Sequence, residues 1–310
     1  MNIVFFGSSS FSIPVLERLI HSKHSVIQIV TTPDQKKGRG QKVQPSLIKT
    51  FAEAKSIPVL APKKLKEPEI VKAIQSLVPD ILVAASYGKL IPPSIFKLPK
   101  VAALNVHPSL LPRHRGASPI QQALLEGDAK TGVSIAEITA ELDSGDIFAQ
   151  VTVEIQPHEN AQELSDRLAV LASNLIVSVV DQFSWNKVTR SPQDNSKATY
   201  AKKIDKDFGR IHWNQPANKI HNQIRACVPW PSAFTFLAGK RLKVLEAELL
   251  RQIQTAPPGK ISGIRHEGIE VQTQSGTLLI KRVQLEGRNE MSAYDFAMGQ
   301  RLKTGGVFES

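Results

Sequence analysis

The first hundred residues alternate short apolar runs with segments whose apolar residues recur every three or four positions. The short runs predict buried strands, and the amphipathic segments predict helices. Strands are expected at residues 3–6, 26–30, 57–60, 81–85 and 102–106, and helices at residues 14–22, 47–54 and 67–77. This alternation predicts an α/β fold with a doubly wound, mostly parallel sheet that helices cover on both faces.

The pattern changes after residue 132. Two alternating runs, 133–138 and 148–155, flank a polar turn and predict a hairpin-like addition to the sheet, and residues 161–183 predict a long amphipathic helix. The polar stretch 187–203 is typical of a linker. Five short runs within 234–283 then predict a small β-barrel, a type that often binds oligonucleotides. The predicted organisation is a domain at 1–186, a linker at 187–205 and a barrel at 206–310.

The charge balance constrains the partner. The 310 residues include 39 lysines and arginines against 28 aspartates and glutamates, which gives a formal net charge of +11. The predicted barrel, 206–310, holds 15 of these basic residues against 9 acidic ones. Such an excess favours nucleic acid or a phosphate-bearing small molecule as a partner. A basic surface without a polyanionic partner is the alternative.

The cysteine content and the apolar runs indicate the compartment. A single cysteine, Cys227, excludes an intramolecular disulfide framework and a cysteine-rich zinc site, and it fits a reducing cytosol. The histidines do not follow zinc-ligand spacing, so no metal site is predicted. No apolar run approaches the roughly 18 residues that span a bilayer, and the first residues lack the parts of a secretory signal. The sequence therefore predicts a cytoplasmic protein without membrane contact.

A basic segment lies between the second strand and the next helix. Residues 34–42 carry Lys36, Lys37, Arg39 and Lys42 together with two glycines, so they are expected to be too polar for the core and too flexible for a strand. A basic loop of this kind is suited to a phosphate backbone. A solvated surface loop is the alternative, but the position after a strand, at the expected mouth of the sheet, favours binding.

Residues 104–120 contain the strongest candidates for chemistry. Asn105 and His107 are two positions apart, so on a strand both side chains project from one face, near the end where open α/β sheets bind ligands. An asparagine amide can donate to a developing oxyanion, and a histidine exchanges protons near neutral pH. Downstream, Asp143 on a polar turn could orient the histidine or accept a proton. A structural histidine–asparagine pair is the alternative. Nucleotide-binding glycine motifs and a serine-hydrolase elbow are absent from the sequence.

Residues 105–120 together with 142–146 resemble the 10-formyltetrahydrofolate-dependent formyltransferases, a family whose members act on amino groups of ribonucleotides, sugar nucleotides and methionyl-tRNA. Residues 36–40, 200–204 and 224–231 make the whole chain similar to the branch that acts on tRNA. The resemblance implies a Rossmann-like N-terminal domain, a C-terminal barrel resembling an OB fold, and tRNA contacts from Lys36, Lys37, Arg39 and Lys42.

The resemblance also implies a reaction and its residues. A formyl group would pass from 10-formyltetrahydrofolate to the α-amine of methionine on initiator tRNA. Asn105 would donate to the oxyanion, His107 would be a second donor and proton carrier, and Asp143 would orient the imidazole and take the proton of the amine. The folate would lie against two loops, formed by Ser86, Tyr87, Gly88, Lys89 and Leu90 and by Ser109, Leu110, Leu111 and Pro112. An amino-sugar-nucleotide formyltransferase and a catalytically inactive tRNA-binding protein are the alternatives, and a monomer is expected.

Overall fold

A computed structural model describes residues 1–37, 42–250 and 256–310. Its described residues divide into two compact units. The first comprises Met1–Pro119, Lys130–Val153 and Ser165–Ala201, and the second comprises Ile120–Ala129, Glu154–Leu164 and Lys202–Ser310. The domain bounds drawn from the sequence, 1–186 and 206–310, remain a prediction.

The strands and helices up to Ala201 follow the predicted alternation closely. In chain order they are β1 (Asn2–Gly7), α1 (Ser12–Ile20), β2 (Ser25–Val30), β3 (Gln35–Lys37), β4 (Lys42–Gln44), α2 (Leu47–Ala54), β5 (Val59–Leu60), α3 (Pro68–Ser76), β6 (Ile81–Ala85), α4 (Pro93–Phe96), β7 (Ala102–His107), β8 (Arg115–Gly116), α5 (Pro119–Glu126), β9 (Lys130–Glu137), β10 (Ile147–Glu154), α6 (Ala161–Ser184) and β11 (Tyr200–Ala201).

Seven of these strands form one sheet in the order β10-β9-β7-β6-β1-β2-β5. The five strands from β7 to β5 are parallel, and β9 runs antiparallel to β7. The chain moves outward from β1 to one side and then returns to add β6 and β7 on the other. The strand order therefore reverses between β1 and β6, and the crevice at such a reversal is where open α/β sheets bind ligands. The α/β prediction is confirmed.

The central strands of the sheet are mostly buried because apolar residues occupy both of their faces. All five residues of β6 are buried, as expected of a strand covered by helices on both sides. Phe6 and Leu82 belong to a core cluster that also contains Tyr87, whose ring meets that of Phe6 edge-on at 5.3 Å between centroids. The sheet beside the crevice therefore contributes a packed apolar core.

The basic segment corrects one prediction. The sequence predicts that residues 34–42 are too flexible for a strand, but β3 pairs with β4 in antiparallel register, with Lys37 opposite Lys42. A two-stranded ribbon is held by main-chain hydrogen bonds, which do not depend on an apolar sequence pattern. Arg39, with its neighbours Gly38 and Gly40, lies outside the described residues.

The second unit contains the predicted antiparallel strands. Its later elements are α7 (Ala217–Ala226), β12 (Ala233–Leu237), β13 (Lys240–Leu250), β14 (Ile261–Arg265), β15 (Gly268–Gln272), β16 (Thr277–Leu285), β17 (Glu290–Ser292) and α8 (Ala293–Gly299). The strand order is β12-β13-β16-β15-β14, and β17 pairs with β16. The chain terminus bridges the two edges of this sheet, since Glu309 pairs with Phe236 of β12 and Val307 pairs with Lys260 beside β14. The terminus thereby completes the predicted barrel.

The barrel interior is filled around Trp213, which is 1% exposed. The indole stacks on Phe308 at 6.1 Å between ring centroids, and its Nε1 donates a hydrogen bond to Thr235 Oγ1 at 3.0 Å. Ile220 and Ile224 of α7 complete the same cluster. The indole ring therefore packs against apolar side chains while its N–H forms a hydrogen bond, as a buried tryptophan requires.

Candidate active site

Asn105 and His107 lie on β7, one strand away from the crevice between β1 and β6. Asn105 is opposite Ala84 of β6 on one side and Ala136 of β9 on the other, and His107 is opposite Ser134. Because side chains alternate along a strand, the amide and the imidazole project from the same face of the sheet. The strand therefore presents a donor and a titratable ring side by side at its carboxyl end.

Asp143 brings a carboxylate to this pair from the turn between β9 and β10. Its Oδ1 accepts a hydrogen bond from Asn105 Nδ2 at 2.9 Å, and its Oδ2 accepts one from the main-chain N–H of Gly116 at 2.8 Å. The same Oδ2 is 3.6 Å from His107 Nδ1. The three residues predicted from the sequence to be catalytic are thus brought together.

The other ring nitrogen of His107 determines its tautomer. Nε2 is 3.0 Å from the main-chain oxygen of His114, which can only accept, so Nε2 carries a proton. In the neutral ring Nδ1 then holds a lone pair toward Asp143, and a proton on Nδ1 makes the ring a cation facing a carboxylate. The imidazole is only 4% exposed and the carboxylate 10%, so water screens this interaction little.

The loop after β6, at the crevice, is held by serines from the loop after β1. Ser8 Oγ lies within hydrogen-bond distance of the main-chain oxygens of Ser86 and Tyr87, at 2.9 and 2.8 Å, and Ser9 Oγ donates to Ser86 Oγ at 2.8 Å. Ser86 adopts a φ of 48° and Gly88 a φ of 77°, so this loop turns through the left-handed region. These contacts fix the backbone of the loop that the resemblance assigns to folate.

The side chains of the same loop have different surroundings. Tyr87 is buried, and its hydroxyl has no hydrogen-bond partner among the described residues, while desolvation raises its pKa to about 12. Lys89 Nζ donates to the main-chain oxygens of Pro62 and Lys63 at 3.2 and 3.0 Å. Leu90 is 68% exposed. The buried Tyr87 side chain is therefore not available to a ligand, whereas Ser86, Lys89 and Leu90 are exposed.

The segment after β7 is fixed by two polar side chains of the neighbouring strands. Ser134 Oγ donates to the main-chain oxygen of Ser109 at 2.6 Å and accepts from the N–H of Leu111 at 3.1 Å. Gln150 Nε2 donates to the main-chain oxygen of Leu111 at 2.9 Å. Leu111 is buried, so it serves packing, whereas Leu110 is half-buried. These hydrogen bonds hold the backbone of the loop Ser109–Pro112 in place beside His107.

Comparison with known proteins decides the family. Residues 1–180 match the family described as Formyl transferase, and residues 203–301 match the one described as Formyl transferase, C-terminal domain. The chain belongs to the formyltransferase family. This formyltransferase is 41% identical over 311 residues to the methionyl-tRNA formyltransferase of Sulfurihydrogenibium sp. (strain YO3AOP1), with 100% of both chains covered. It is 40% identical over 305 residues to the methionyl-tRNA formyltransferase of Geobacter metallireducens, with 98% of this chain and 97% of the relative covered.

A solved structure shares the fold of this formyltransferase. The N-formyltransferase from Helicobacter canadensis, solved in complex with folinic acid and dTDP-3-aminofucose, superposes with a TM-score of 0.64 at 17% identity, over 93% of this chain and 99% of that one. Within the described residues, no helix is both long enough and apolar enough to cross a membrane.

Several residues that shape the site of this formyltransferase were not identified from its sequence. Ser8, Ser9, Ser134 and Gln150 are not among the candidates that the sequence suggests. The position of the serines carried a usable signal, since hydroxyls that follow the first strand of a doubly wound sheet lie at its ligand-binding edge. The strands β9 and β10 offered no comparable signal for Ser134 and Gln150.

Proposed function

We propose that this formyltransferase transfers the formyl group of 10-formyltetrahydrofolate to the α-amine of methionine carried by initiator tRNA, in the cytoplasm. The observation that carries the proposal is the convergence of Asn105, His107 and Asp143 next to the crevice of the sheet. The substrate is supported by the two full-length relatives at about 40% identity, whose names state formyl transfer to methionyl-tRNA.

The residues present fit a folate. The loop after β6 offers main-chain groups at the strand-order reversal, and its serine contacts hold them in place. Because β6 and β7 are neighbours with Ala85 opposite Val106, the loop that begins at Ser86 starts beside His107. A formyl group on a folate held there would face the polar side chains of β7.

The chemistry assigned to Asn105 uses its second amide hydrogen. Asp143 occupies one N–H of the amide, which turns the group, and the other remains to donate to the oxygen of the formyl group as negative charge develops there. The attacking amine must be neutral, and since a free α-amine has a pKa of about 8, only modest assistance is required. A new C–N bond forms to methionine, and the bond from the formyl carbon to the folate nitrogen breaks.

His107 and Asp143 manage the protons of the transfer. His107 Nδ1 and Asp143 Oδ2 are 3.6 Å apart, so the carboxylate offsets the positive charge of a ring protonated on Nδ1. That proton is then donated to the developing oxyanion. Asp143 accepts the proton that the amine loses, directly or through a water molecule, and this proton passes on to the folate nitrogen as it leaves. As the C=O bond re-forms, the hydroxyl returns its proton to His107 Nδ1. The charge is then the same before and after the transfer.

Recognition of tRNA is assigned to two basic regions. Lys36, Lys37 and Lys42 stand on the β3–β4 ribbon, and Arg39 lies between these strands in the sequence. The residues 206–310 add a net positive charge, which suits a phosphate backbone. The protein is expected to act on its tRNA as a monomer.

Formylation assays with competing acceptors test the proposal. Purified protein with 10-formyltetrahydrofolate is expected to formylate methionyl-tRNA and to leave free methionine and an amino-sugar nucleotide unmodified. Efficient transfer to the amino-sugar nucleotide, with none to methionyl-tRNA, would replace the substrate. Tight tRNA binding with no transfer to any acceptor would favour the tRNA-binding alternative.

A further inference from the structure

The main chain of the Asp143 turn is held by a side chain 50 positions away. Gln193 Nε2 donates to the main-chain oxygen of Asp143 at 2.8 Å and to that of Gly145 at 2.6 Å. Asp143 has a φ of 51°, a left-handed conformation that a residue with a side chain adopts at a cost. The two hydrogen bonds therefore fall on a strained turn, at the residue whose carboxylate faces the imidazole.

Gln193 is itself fixed by a buried arginine. Its Oε1 accepts hydrogen bonds from Arg115 Nε at 3.1 Å and from Arg115 Nη2 at 2.7 Å, and Nη2 also donates to Asn195 Oδ1 at 2.7 Å. Arg115 is only 3% exposed. Both hydrogens of the glutamine amide and its oxygen are thus occupied, which leaves the side chain one orientation.

These contacts close a ring around Asp143. Arg115 holds Gln193 through its side chain, and the next residue, Gly116, donates its N–H to Asp143 Oδ2 at 2.8 Å. The dipeptide Arg115–Gly116 is in turn paired in parallel with Tyr200–Ala201. One short strand therefore sets both the main chain of Asp143, through Gln193, and its carboxylate, through Gly116.

We propose that Gln193 is a positioning residue that sets the carboxylate of Asp143 relative to His107; this rests on the proposed function of the site. The distance between Asp143 Oδ2 and His107 Nδ1 is 3.6 Å, just beyond hydrogen-bond distance, so a small displacement of the turn determines whether a hydrogen bond can form between them. Gln193 acts on the main chain, and its effect on the reaction passes through Asp143.

Two variants separate its two contacts. Gln193→Leu removes every hydrogen bond of the side chain at similar volume. Gln193→Glu retains an acceptor for Arg115 but has no N–H for the oxygens of Asp143 and Gly145. Gln28→Leu is the matched control, because Gln28 Nε2 also donates to two main-chain oxygens, those of Ile29 and Pro58, on the far side of the same sheet.

The expected result is a loss in kcat without a loss in binding. Both Gln193 variants should lower kcat for methionyl-tRNA by about 10- to 100-fold, because a catalytic group displaced by about 1 Å costs on this order. KM for tRNA and for the folate should stay within about threefold, as expected of an effect on the chemical step. Gln28→Leu should keep kcat, and Gln193→Glu should melt closer to the wild type than Gln193→Leu.

A double-mutant cycle shows whether the effect passes through Asp143. In an Asp143→Asn background, Gln193→Leu should lower kcat by less than about threefold further, since residues that act as a unit are not additive. Independent losses that multiply would overturn the inference, and so would a folded Gln193→Leu with wild-type kcat. If neither Gln193 variant folds while Gln28→Leu does, the residue is structural and the inference also falls. Failure of the wild-type protein itself to formylate methionyl-tRNA would instead refute the proposed function.

Discussion

Replacing Asp143 with asparagine changes one atom and removes the charge of the candidate site. The carboxylate accepts from Asn105 with one oxygen and from the N–H of Gly116 with the other. An asparagine has a single side-chain oxygen, so it satisfies one of these donors and turns its NH2 group toward the second. His107 loses its facing negative charge in either orientation.

The size of the effect follows from these contacts. A hydrogen bond to a charged group contributes about 1.5–3 kcal/mol, so losing one of the two should lower the free energy of unfolding by roughly that amount. General acid–base groups contribute typically 10²- to 10⁴-fold, so kcat for formyl transfer should fall by about that factor. Folate affinity should change little, because the loops assigned to the folate are held by Ser8, Ser9 and Ser134.

Steady-state formylation of methionyl-tRNA, folate titration and thermal unfolding measure the three quantities. Asp146→Asn is the matched control from the same turn. Among the described residues, the Asp146 side chain forms an ion pair with the exposed Arg190, at 3.5 Å from Oδ2, and such surface pairs contribute little. An Asp143→Asn protein that unfolds like the wild type and keeps kcat within about threefold would refute the assigned role.

Three further outcomes are expected. Burial lowers the pKa of His221 to about 4, so the unfolded protein binds a proton at this histidine before the folded protein does as the pH falls below 6.5. The free energy of unfolding should therefore decrease by about 3 kcal/mol between pH 6.5 and pH 4. Denaturant titrations at these two pH values should show that His221→Gln removes this decrease. Tyr87→Phe should melt at or above the wild-type temperature at pH 7, and it should lessen the loss of stability between pH 10 and 12, where the unfolded tyrosine ionises first. The affinity for tRNA should fall as salt rises, because lysine and arginine contacts to phosphates release counterions, whereas the folate affinity should change much less; an equal salt dependence in filter-binding and fluorescence titrations would contradict this.

Much of the first unit could be predicted because the apolar pattern of each strand or helix lies within one short segment of the sequence. The strand at 81–85 and the helix at 47–54 have the predicted bounds, since an apolar run covered on both faces and an amphipathic stripe each stand out locally. The β3–β4 ribbon and the terminal residues that close the barrel carry no such pattern. Phe236 N–H bonds to the oxygen of Glu309 at 3.0 Å, and main-chain pairing of this kind does not depend on which side chains are present.

The same distinction applies to the candidate site. The two-residue spacing of Asn105 and His107 predicted that both side chains project from one face of a strand, and Asp143 was recognisable as a carboxylate on a turn. Gln193 was not recognisable, because it acts on main-chain oxygens 48 and 50 positions away. Contacts of a side chain with distant main-chain groups leave no periodic trace in a sequence, so the residues that hold a site in place are harder to predict than those that perform its chemistry.

The strand directions explain why the Asp143 turn needs to be held at all. Because β9 runs antiparallel to β7, its last residue, Glu137, lies opposite Leu104, three residues before His107. At about 3.3 Å per residue, the chain leaves β9 roughly 10 Å from the level of the imidazole. The turn has to fold back along the sheet to bring a carboxylate to Asn105 and His107. Its backbone does so at Gly145, where any Cβ would lie 2.2 Å from the main-chain oxygen of Glu137. Asp143 is the left-handed residue of this turn and lies outside the strands of the sheet. The hydrogen bonds from Gln193 and from the N–H of Gly116 hold it in place.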